Sequence, residues 1–128
     1  MQPLHGKQAL TYDDINLIPQ YSDIESRSQI DLTTQLTTNY KIKVPLIASP
    51  MDTVCDSEMA IAMMELGGVG CIHRFMSIED QAAEVSKVHS IRFKEKSIPI
   101  MAAVGANGDY FERTEALVNA GVNVILID

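Results

Sequence analysis

Long hydrophobic runs and secretion signals are missing from this sequence. No apolar run approaches the roughly 20 residues that a helix needs to span a bilayer. The first residues, Met1 to Gly6, lack the basic start and the apolar stretch of a secretory signal peptide. We therefore predict a cytoplasmic protein that has no membrane partner.

Cysteine is scarce, and no metal-binding pattern is present. The two cysteines, Cys55 and Cys71, form no C-x-x-C pair. Neither has a metal-like spacing to a histidine, and the histidines are His5, His73 and His89. The sequence therefore predicts no metal site and two reduced thiols, as in a cytosolic protein.

Basic residues are outnumbered by acidic ones. The chain has 10 Lys and Arg against 17 Asp and Glu, which gives a net charge of -7. Such a surface repels a polyanion on average, so we predict no nucleic acid partner. A small anionic ligand is compatible with this charge, because local groups can outweigh the net charge. The composition, 46% hydrophobic and 21% charged, is that of a soluble globular protein.

The chain separates into an irregular arm, residues 1–43, and a regular part, residues 44–128. The arm is rich in Ser, Thr and Asp, and its last stretch, residues 29–44, carries β-favouring Thr, Ile and Val. We predict one or two short strands in that stretch.

The regular part alternates short apolar runs with amphipathic stretches. The apolar runs, predicted as buried strands, are residues 44–50, 69–73, 98–105 and 122–128. The amphipathic stretches between them are predicted as helices that begin at Asp56 or Ser57, at Ser77 and at Asp109. Apolar strands linked by such helices indicate a parallel sheet, which either a barrel or a doubly wound sheet would satisfy.

Each predicted helix has a stripe of residues at helical spacing, and two of the three have a signal for their end. The stripes are Met59, Met63 and Leu66 in the first helix, Ile78, Ala82, Val85 and Val88 in the second, and Tyr110, Thr114, Leu117 and Val118 in the third. The spacing of Asp109 and Glu112 predicts a capping box. Gly67 and Gly121 suit the C-terminal ends of the first and third helices.

Polar residues follow the predicted strands at the ends where parallel sheets bind ligands. These strand ends are residues 49–53, His73 and Arg74, residues 105–107, and Asp128. The first group is dense in polar atoms directly after a strand, where a binding loop belongs.

Four segments resemble the IMP dehydrogenase/GMP reductase family. They are "LTYDDINLIPQYS" (10–22), "VPLIASPMDTV" (44–54), "MAIAMMELGGVGCIHRFMSIEDQAAEV" (59–85) and "ALVNAGVNVILID" (116–128). The order and spacing of PMDTV and GGVGCIH are specific to that family. The resemblance implies an α/β fold, a partial TIM (β/α)8 barrel with about four parallel strands and three helices after the arm.

The same resemblance implies ligands and roles. Ser49 and Met51 match positions that contact the purine nucleotide, IMP or GMP. Asp128 matches the aspartate that binds the nicotinamide ribose of the cofactor, and His73 matches a position near the cofactor. The implied cofactor is NAD, or NADP for a reductase, and the implied assembly is a homo-oligomer. The family's potassium site is not expected in this chain.

The chain also departs from the family's pattern. In the family, a cysteine on a Gly-rich loop well past the fourth strand attacks the purine, and a complete barrel needs about 250 residues. We therefore expect no catalytic residue in this chain and no activity from it alone. The link between Val88 and Ile98 leaves no room for the CBS-type regulatory insertion. Arg74 and Phe75 replace the more usual Lys-Asn or His-Asn and resemble some reductases.

Three functions stay open from the sequence. The first is the N-terminal part of an IMP dehydrogenase-like enzyme, which converts IMP to XMP with NAD. The second is GMP reductase, which converts GMP to IMP with NADPH. The third is a non-catalytic half-barrel that associates with itself through its open sheet edges.

Several residues have both a chemical and a structural interpretation, and we favour the structural one. Cys55 could be a nucleophile, and Cys71 could be activated by His73 two residues away, but packed thiols are more common. Residues 67–70 could cradle a phosphate, but they follow a helix C-terminus, whose carbonyl groups disfavour anions.

Overall fold

The computed structural model describes residues 9–91 and 98–128, so His5 and the link over residues 92–97 lie outside the described residues. The chain divides into two units, Met1–Ile30 and Asp31–Asp128. Within the described part of the first unit, the regular element is one 3-10 turn, Arg27–Gln29.

An antiparallel hairpin opens the second unit. It consists of β1 (Thr34–Thr37) and β2 (Tyr40–Ile42), which pair with a register irregularity between Gln35 and Thr37. This confirms the prediction of short strands here. Ile42 is buried in the core of the second unit, although the sequence pattern groups the hairpin with the arm. The boundary at residue 43 stays a prediction.

Among the described residues, the rest of the second unit consists of four parallel strands, three helices and the loops between them. The strands are β3 (Ile47–Ala48), β4 (Val69–Ile72), β5 (Met101–Val104) and β6 (Val124–Ile127), and the helices are α1 (Ser57–Glu65), α2 (Ile78–Ile91) and α3 (Tyr110–Asn119). The strand order in the sheet is the order in the chain. A doubly wound sheet reverses its order partway, whereas a (β/α) barrel does not. The predicted fold class, part of a (β/α)8 barrel, is confirmed.

The core lies where the central strands meet the helices. All residues of β4 and β5 are buried, as predicted for their apolar runs. The outer strands are less covered than predicted: Ile47 of β3 is 47% exposed and Ile127 of β6 is 75% exposed. The reason is that, among the described residues, each of these strands has a neighbour on one side of the sheet only.

All three predicted helix starts are confirmed, and the capping box predicted for the third is corrected. The Asp56 carboxylate accepts from the Met59 N–H at 3.1 Å, and the Ser77 hydroxyl accepts from the Asp80 N–H at 3.0 Å. Asp109 does precede α3, but its side chain makes no capping bond. The predicted capping box with Glu112 is therefore wrong, because the Asp109 carboxylate accepts from Arg113 instead.

The buried face of α1 differs from the predicted stripe. Its buried residues are Ser57, Ala60 and Met64, whereas Met59 is 40% and Leu66 is 75% exposed. The stripe of Met59, Met63 and Leu66 is therefore wrong as a core face. The helix turns its small residues to the sheet, because a Cβ built on Gly70 of β4 would lie only 2.6 Å from the Ala60 Cα.

In α2 and α3 only part of each predicted stripe is buried. Val85, Val88 and Leu117 are buried, but Tyr110 is 49% and Val118 is 58% exposed. The remaining buried positions hold polar residues, Gln81 in α2 and Arg113 in α3. Apolar spacing could not identify these polar members of the core.

The predicted helix ends at Gly67 and Gly121 are confirmed. Gly67 has a φ of 88°. Its N–H donates to the Met64 carbonyl at 3.1 Å, and the N–H of Gly68 donates to the Met63 carbonyl at 2.9 Å. This pair of bonds is the Schellman motif, which needs a left-handed residue and therefore favours glycine. The run at residues 67–70 thus ends a helix, as the structural interpretation predicts.

Candidate functional site

The residues that follow the four parallel strands share one edge of the sheet. The pairing register places Ala48 opposite Gly70, Ile72 opposite Ala102, and Val104 opposite Ile127. Ser49, His73 and Asp128 come directly after these strands, which all run in the same direction. We call this edge, formed by residues 49–53, 73–75, 105–109 and 128, the rim.

The loop after β3 is a compact turn. The Met51 N–H donates to the Ser49 carbonyl at 2.8 Å, and the N–H groups of Val54 and Cys55 both donate to the Met51 carbonyl at 3.0 Å. Ser49 is exposed and Met51 is 51% exposed. Both predicted nucleotide contacts are thus held on an ordered backbone and are accessible to a ligand.

His73 is buried and fixed by its neighbours. Its backbone N–H donates to the Cys55 carbonyl at 3.2 Å. Its ring Nδ1 accepts from the backbone N–H of Phe75 at 3.2 Å. In the neutral imidazole the proton is therefore on Nε2. Because Nδ1 is occupied, this nitrogen is not a base for Cys71. The two rings of His73 and Phe75 stack, with centroids 6.2 Å apart and planes at 22°.

Arg74 joins two strands that are not neighbours. Its Nε donates to Asp128 Oδ2 at 2.9 Å, so the side chain connects the end of β4 to the end of β6 across β5. Its Cζ lies 4.9 Å from the centroid of the Phe75 ring. The side chains of Arg74 and Asp128 are 34% and 37% exposed, so this ion pair adds at most about 1 kcal/mol to stability. Its main effect is on geometry.

A buried network of polar side chains contacts the strand ends that form the rim. Gln81 of α2 donates to the Ala103 carbonyl at 2.8 Å and to the Ile72 carbonyl at 3.4 Å. These carbonyl groups belong to the C-terminal ends of β5 and β4. The Gln81 Oε1 accepts from Arg113 Nη1 at 2.8 Å. One amide side chain thus joins two strand ends and a helix.

Arg113 connects this network to the loops of the rim. Its Nη2 donates to the Met76 carbonyl at 3.2 Å and to Asp109 Oδ2 at 2.6 Å. The loop after β4 and the loop after β5 are therefore held by one buried guanidinium. The hydrogen bond from Arg113 lowers the pKa of Asp109, so this carboxylate is charged at neutral pH.

The sequence analysis missed this network, although two signals point to it. Gln81 lies four residues before Val85 and seven before Val88, in phase with the buried stripe of α2. Asp109 and Arg113 lie four residues apart, the spacing of a helical ion pair. A polar residue in phase with an apolar stripe marks a buried hydrogen bond.

Neither cysteine is prepared to act as a nucleophile. Cys55 and Cys71 are fully buried and free of disulfides. Burial raises the pKa of the Cys55 thiol to about 11, with a smaller contribution from Asp56. Burial likewise raises the pKa of the Cys71 thiol to about 12. Both are protonated at neutral pH, whereas the thiolate is the reactive form.

Residues 9–91 and 98–128 hold neither a candidate metal site nor a candidate membrane-spanning helix. In this part of the chain, no group of three or more His, Cys, Asp or Glu side chains could hold a metal ion. Over the same residues, no helix is long and apolar enough to cross a membrane.

The sequential parallel sheet and the polar rim define a barrel-type α/β protein with polar residues at the strand ends. The family model of the IMP dehydrogenase / GMP reductase domain matches residues 9–128. This chain therefore belongs to the IMP dehydrogenase/GMP reductase family, as the resemblance implied. Members of this family are oxidoreductases that act on purine nucleotides.

Individual relatives carry both family names. The inosine-5'-monophosphate dehydrogenase of Nitrosopumilus maritimus is 56% identical over 82 residues, 64% of this chain and 17% of that protein. The same-named protein of Borreliella burgdorferi is 41% identical over 114 residues, 89% of this chain and 26% of its own length. The GMP reductase of Leishmania donovani is 49% identical over 81 residues, 63% of this chain and 16% of that protein. The chain thus spans between 16% and 26% of the length of these three curated relatives.

The structure brings some of the predicted site residues closer together than others. His73 and Asp128 are connected through Phe75 and Arg74 by the contacts described above. Ser49 follows β3, on the side of β4 away from β5, and the loop that it begins is joined to His73 by the hydrogen bond from the His73 backbone N–H to the Cys55 carbonyl. The roles of Ser49, Met51, His73 and Asp128 toward ligands stay predictions.

Proposed function

We propose that this chain is the N-terminal part of an IMP dehydrogenase-like oxidoreductase. The observation that carries the proposal is the common rim, at which the residues after all four parallel strands meet. In this proposal Ser49 and Met51 contact the purine nucleotide, and His73 and Asp128 contact the cofactor. The reaction of the complete protein is IMP to XMP with NAD as the hydride acceptor.

The polar groups at the rim fit a nicotinamide dinucleotide. Asp128 offers carboxylate oxygens to the hydroxyl groups of a ribose, and the neutral imidazole of His73 carries its proton on Nε2. Arg74 offsets the negative charge of Asp128, so that an anionic ligand is not repelled there in spite of the net charge of -7. When bound, the nicotinamide ring accepts or supplies the hydride, and the residues of the chain hold it in place.

We propose further that this chain alone has no oxidoreductase activity. The family's chemistry needs a thiolate nucleophile, and the two cysteines of this chain are buried with raised pKa values. Neither occupies the position of the family's catalytic cysteine. The chain therefore supplies binding groups, and the nucleophile belongs to a later part of the barrel.

Two measurements on the purified chain test this proposal. The first follows absorbance of the reduced cofactor with IMP and NAD, and we expect no turnover. The second titrates the chain with IMP and compares it with Ser49→Ala, for which we expect weaker binding. Turnover by this chain would contradict the assignment of the nucleophile to another segment. Equal IMP affinity in both proteins would contradict the role of Ser49.

GMP reductase is the second candidate function. Two observations favour it: the 49% identity to the Leishmania donovani enzyme of that name, and the Arg74-Phe75 pair after the histidine. Its reaction is GMP to IMP with NADPH. A protein that joins these residues to the remainder of the barrel distinguishes the two, because a reductase oxidises NADPH when GMP is added and a dehydrogenase reduces NAD when IMP is added.

A self-associating half-barrel is the third candidate. Within the described residues, β3 and β6 are the two edges of the parallel sheet, and Ile47 and Ile127 on them are exposed. Unpaired strand edges bind further strands readily, so we propose that copies of the chain pair through them. Sedimentation of the purified chain tests this, and a monomer at all concentrations would contradict it.

A further inference from the structure

One arginine holds the aspartate that the proposed function assigns to the cofactor. Arg74 follows β4 and Asp128 follows β6, and the two lie 54 positions apart in the chain. Their bond, 2.9 Å from Nε to Oδ2, crosses the end of β5. The guanidinium lies against Gly105, where an added Cβ would be 3.6 Å from Nη1. This is an ordinary van der Waals distance, so the arginine packs beside the loop after β5.

The guanidinium itself is held on a second side. Its Cζ lies 4.9 Å from the centroid of the Phe75 ring, a cation–π contact. The Phe75 backbone is fixed in turn, because its N–H donates to His73 Nδ1. A carboxylate on one side and an aromatic ring on the other therefore define the orientation of the Arg74 side chain.

This arrangement leaves binding capacity on the carboxylate. Arg74 engages Oδ2, and among the described residues no side-chain hydrogen bond reaches Oδ1 of Asp128. A carboxylate accepts on both oxygens, so Oδ1 can receive the hydroxyl groups of a ribose. The arginine also balances the charge of Asp128, which would otherwise repel the phosphate groups of a dinucleotide.

We propose that Arg74 is a positioning residue that orients Asp128 toward the ribose of the nicotinamide cofactor. The inference rests on the proposed function, in which Asp128 binds that ribose. Arg74 acts through Asp128 and not by contacting the reacting atoms. The opposite possibility is that the ion pair blocks Asp128 and has to open before the cofactor binds. Removal of the ion pair weakens cofactor binding in the first case and strengthens it in the second.

Titration of the 15N-labelled chain with NAD, followed by NMR, tests the proposal. The variants are Arg74→Gln, which removes the ion pair, and Arg74→Lys, which keeps the charge but not the planar fork. Lys87→Gln is the matched control, because it removes one positive charge about 15 Å along α2 from the rim. The dispersion of the amide spectrum reports whether each variant is folded, and Arg74→Lys, which keeps the charge, remains informative if Arg74→Gln does not fold.

We expect Arg74→Gln to weaken NAD binding about two- to fivefold, the range of a half-exposed ion pair. Arg74→Lys is expected to lie between Arg74→Gln and the original protein, and Lys87→Gln to bind as the original does. The decisive comparison uses Asp128→Asn. If Arg74 acts through Asp128, the double variant Arg74→Gln/Asp128→Asn binds NAD no more weakly than Asp128→Asn alone.

The outcomes distinguish a failure of the proposed function of the rim from a failure of the proposed role of Arg74. If neither NAD nor NADPH shifts the amide signals of Gly105 and Asp128 in the original chain, the proposed function of the rim is overturned and the role of Arg74 with it. If NAD binds but Arg74→Gln has the same affinity, only the role of Arg74 is overturned. Tighter binding by Arg74→Gln, or an additive loss in the double variant, also overturns it.

Discussion

Replacement of Gly70 by alanine tests how closely α1 packs on the sheet. A Cβ on Gly70 would lie 2.6 Å from the Ala60 Cα and 2.9 Å from the Cys55 Sγ. Carbon atoms prefer about 3.5–4.0 Å, so α1 has to move away by about 1 Å. Overpacking of this kind costs about 1–3 kcal/mol. The reduced freedom of the unfolded chain returns about 0.4–1 kcal/mol.

The centres of these two ranges, about 2 and about 0.7 kcal/mol, leave an expected net loss for Gly70→Ala of about 1.3 kcal/mol in the free energy of unfolding. For a chain of 128 residues, with an unfolding entropy of about 2.1 cal/mol/K per residue, that lowers Tm by about 5 °C. Gly105→Ala is the matched control, because its Cβ would make contacts of 3.6 Å or more and its φ is not in the left-handed region. We expect Gly105→Ala to be neutral or slightly stabilising. Thermal and urea unfolding measure both, and an unchanged Tm for Gly70→Ala would refute the packing described here.

Three further predictions concern the buried groups. Gln81→Leu leaves the Ala103 carbonyl and the Arg113 guanidinium without their partner. We therefore expect urea unfolding to show a loss of about 2–4 kcal/mol in the free energy of unfolding. A loss below about 0.5 kcal/mol would contradict the network. Arg113→Met removes the partner that lowers the pKa of Asp109. The pair's stabilisation is present above the ordinary Asp pKa and is lost as pH falls through the lowered one. The stability difference between Arg113→Met and the original chain should therefore shrink below about pH 4, and a difference that stays constant to pH 2 would argue against the pair. With thiol pKa values of about 11 and about 12, both cysteines should react with a thiol reagent at pH 8 at least about a hundredfold more slowly in the folded chain than in urea. Equal rates would show that they are exposed.

Those elements that depend on local sequence could be predicted. Asp56 and Ser77 begin helices because a short polar side chain can reach a free N–H within three residues. Gly67 and Gly121 end helices because the left-handed conformation favours glycine. The runs of β4 and β5 contain enough consecutive residues without a polar side chain to be recognised as buried strands. In all of these, cause and effect lie within one segment.

The features that escaped prediction depend on partners far along the chain. The buried face of α1 is set by Gly70, and hydrophobicity alone favours the methionines over Ala60. Asp109 has two acceptable uses, as a helix cap or as a partner of Arg113, and only the buried position of Arg113 decides between them. The sequence places Asp128 at the rim, but its ion pair depends on how β4 and β6 are arranged around β5.

The central claim is that the residues after all four parallel strands gather at one rim. Asn107→Cys tests it directly, because the two native thiols are buried and a nitroxide reagent should attach at residue 107 alone. The account predicts stronger paramagnetic broadening of the amide signals of Arg74 and Asp128, at the rim, than of Gly68 and Val122, at the opposite ends of β4 and β6. Equal or stronger broadening of Gly68 and Val122 would contradict the account.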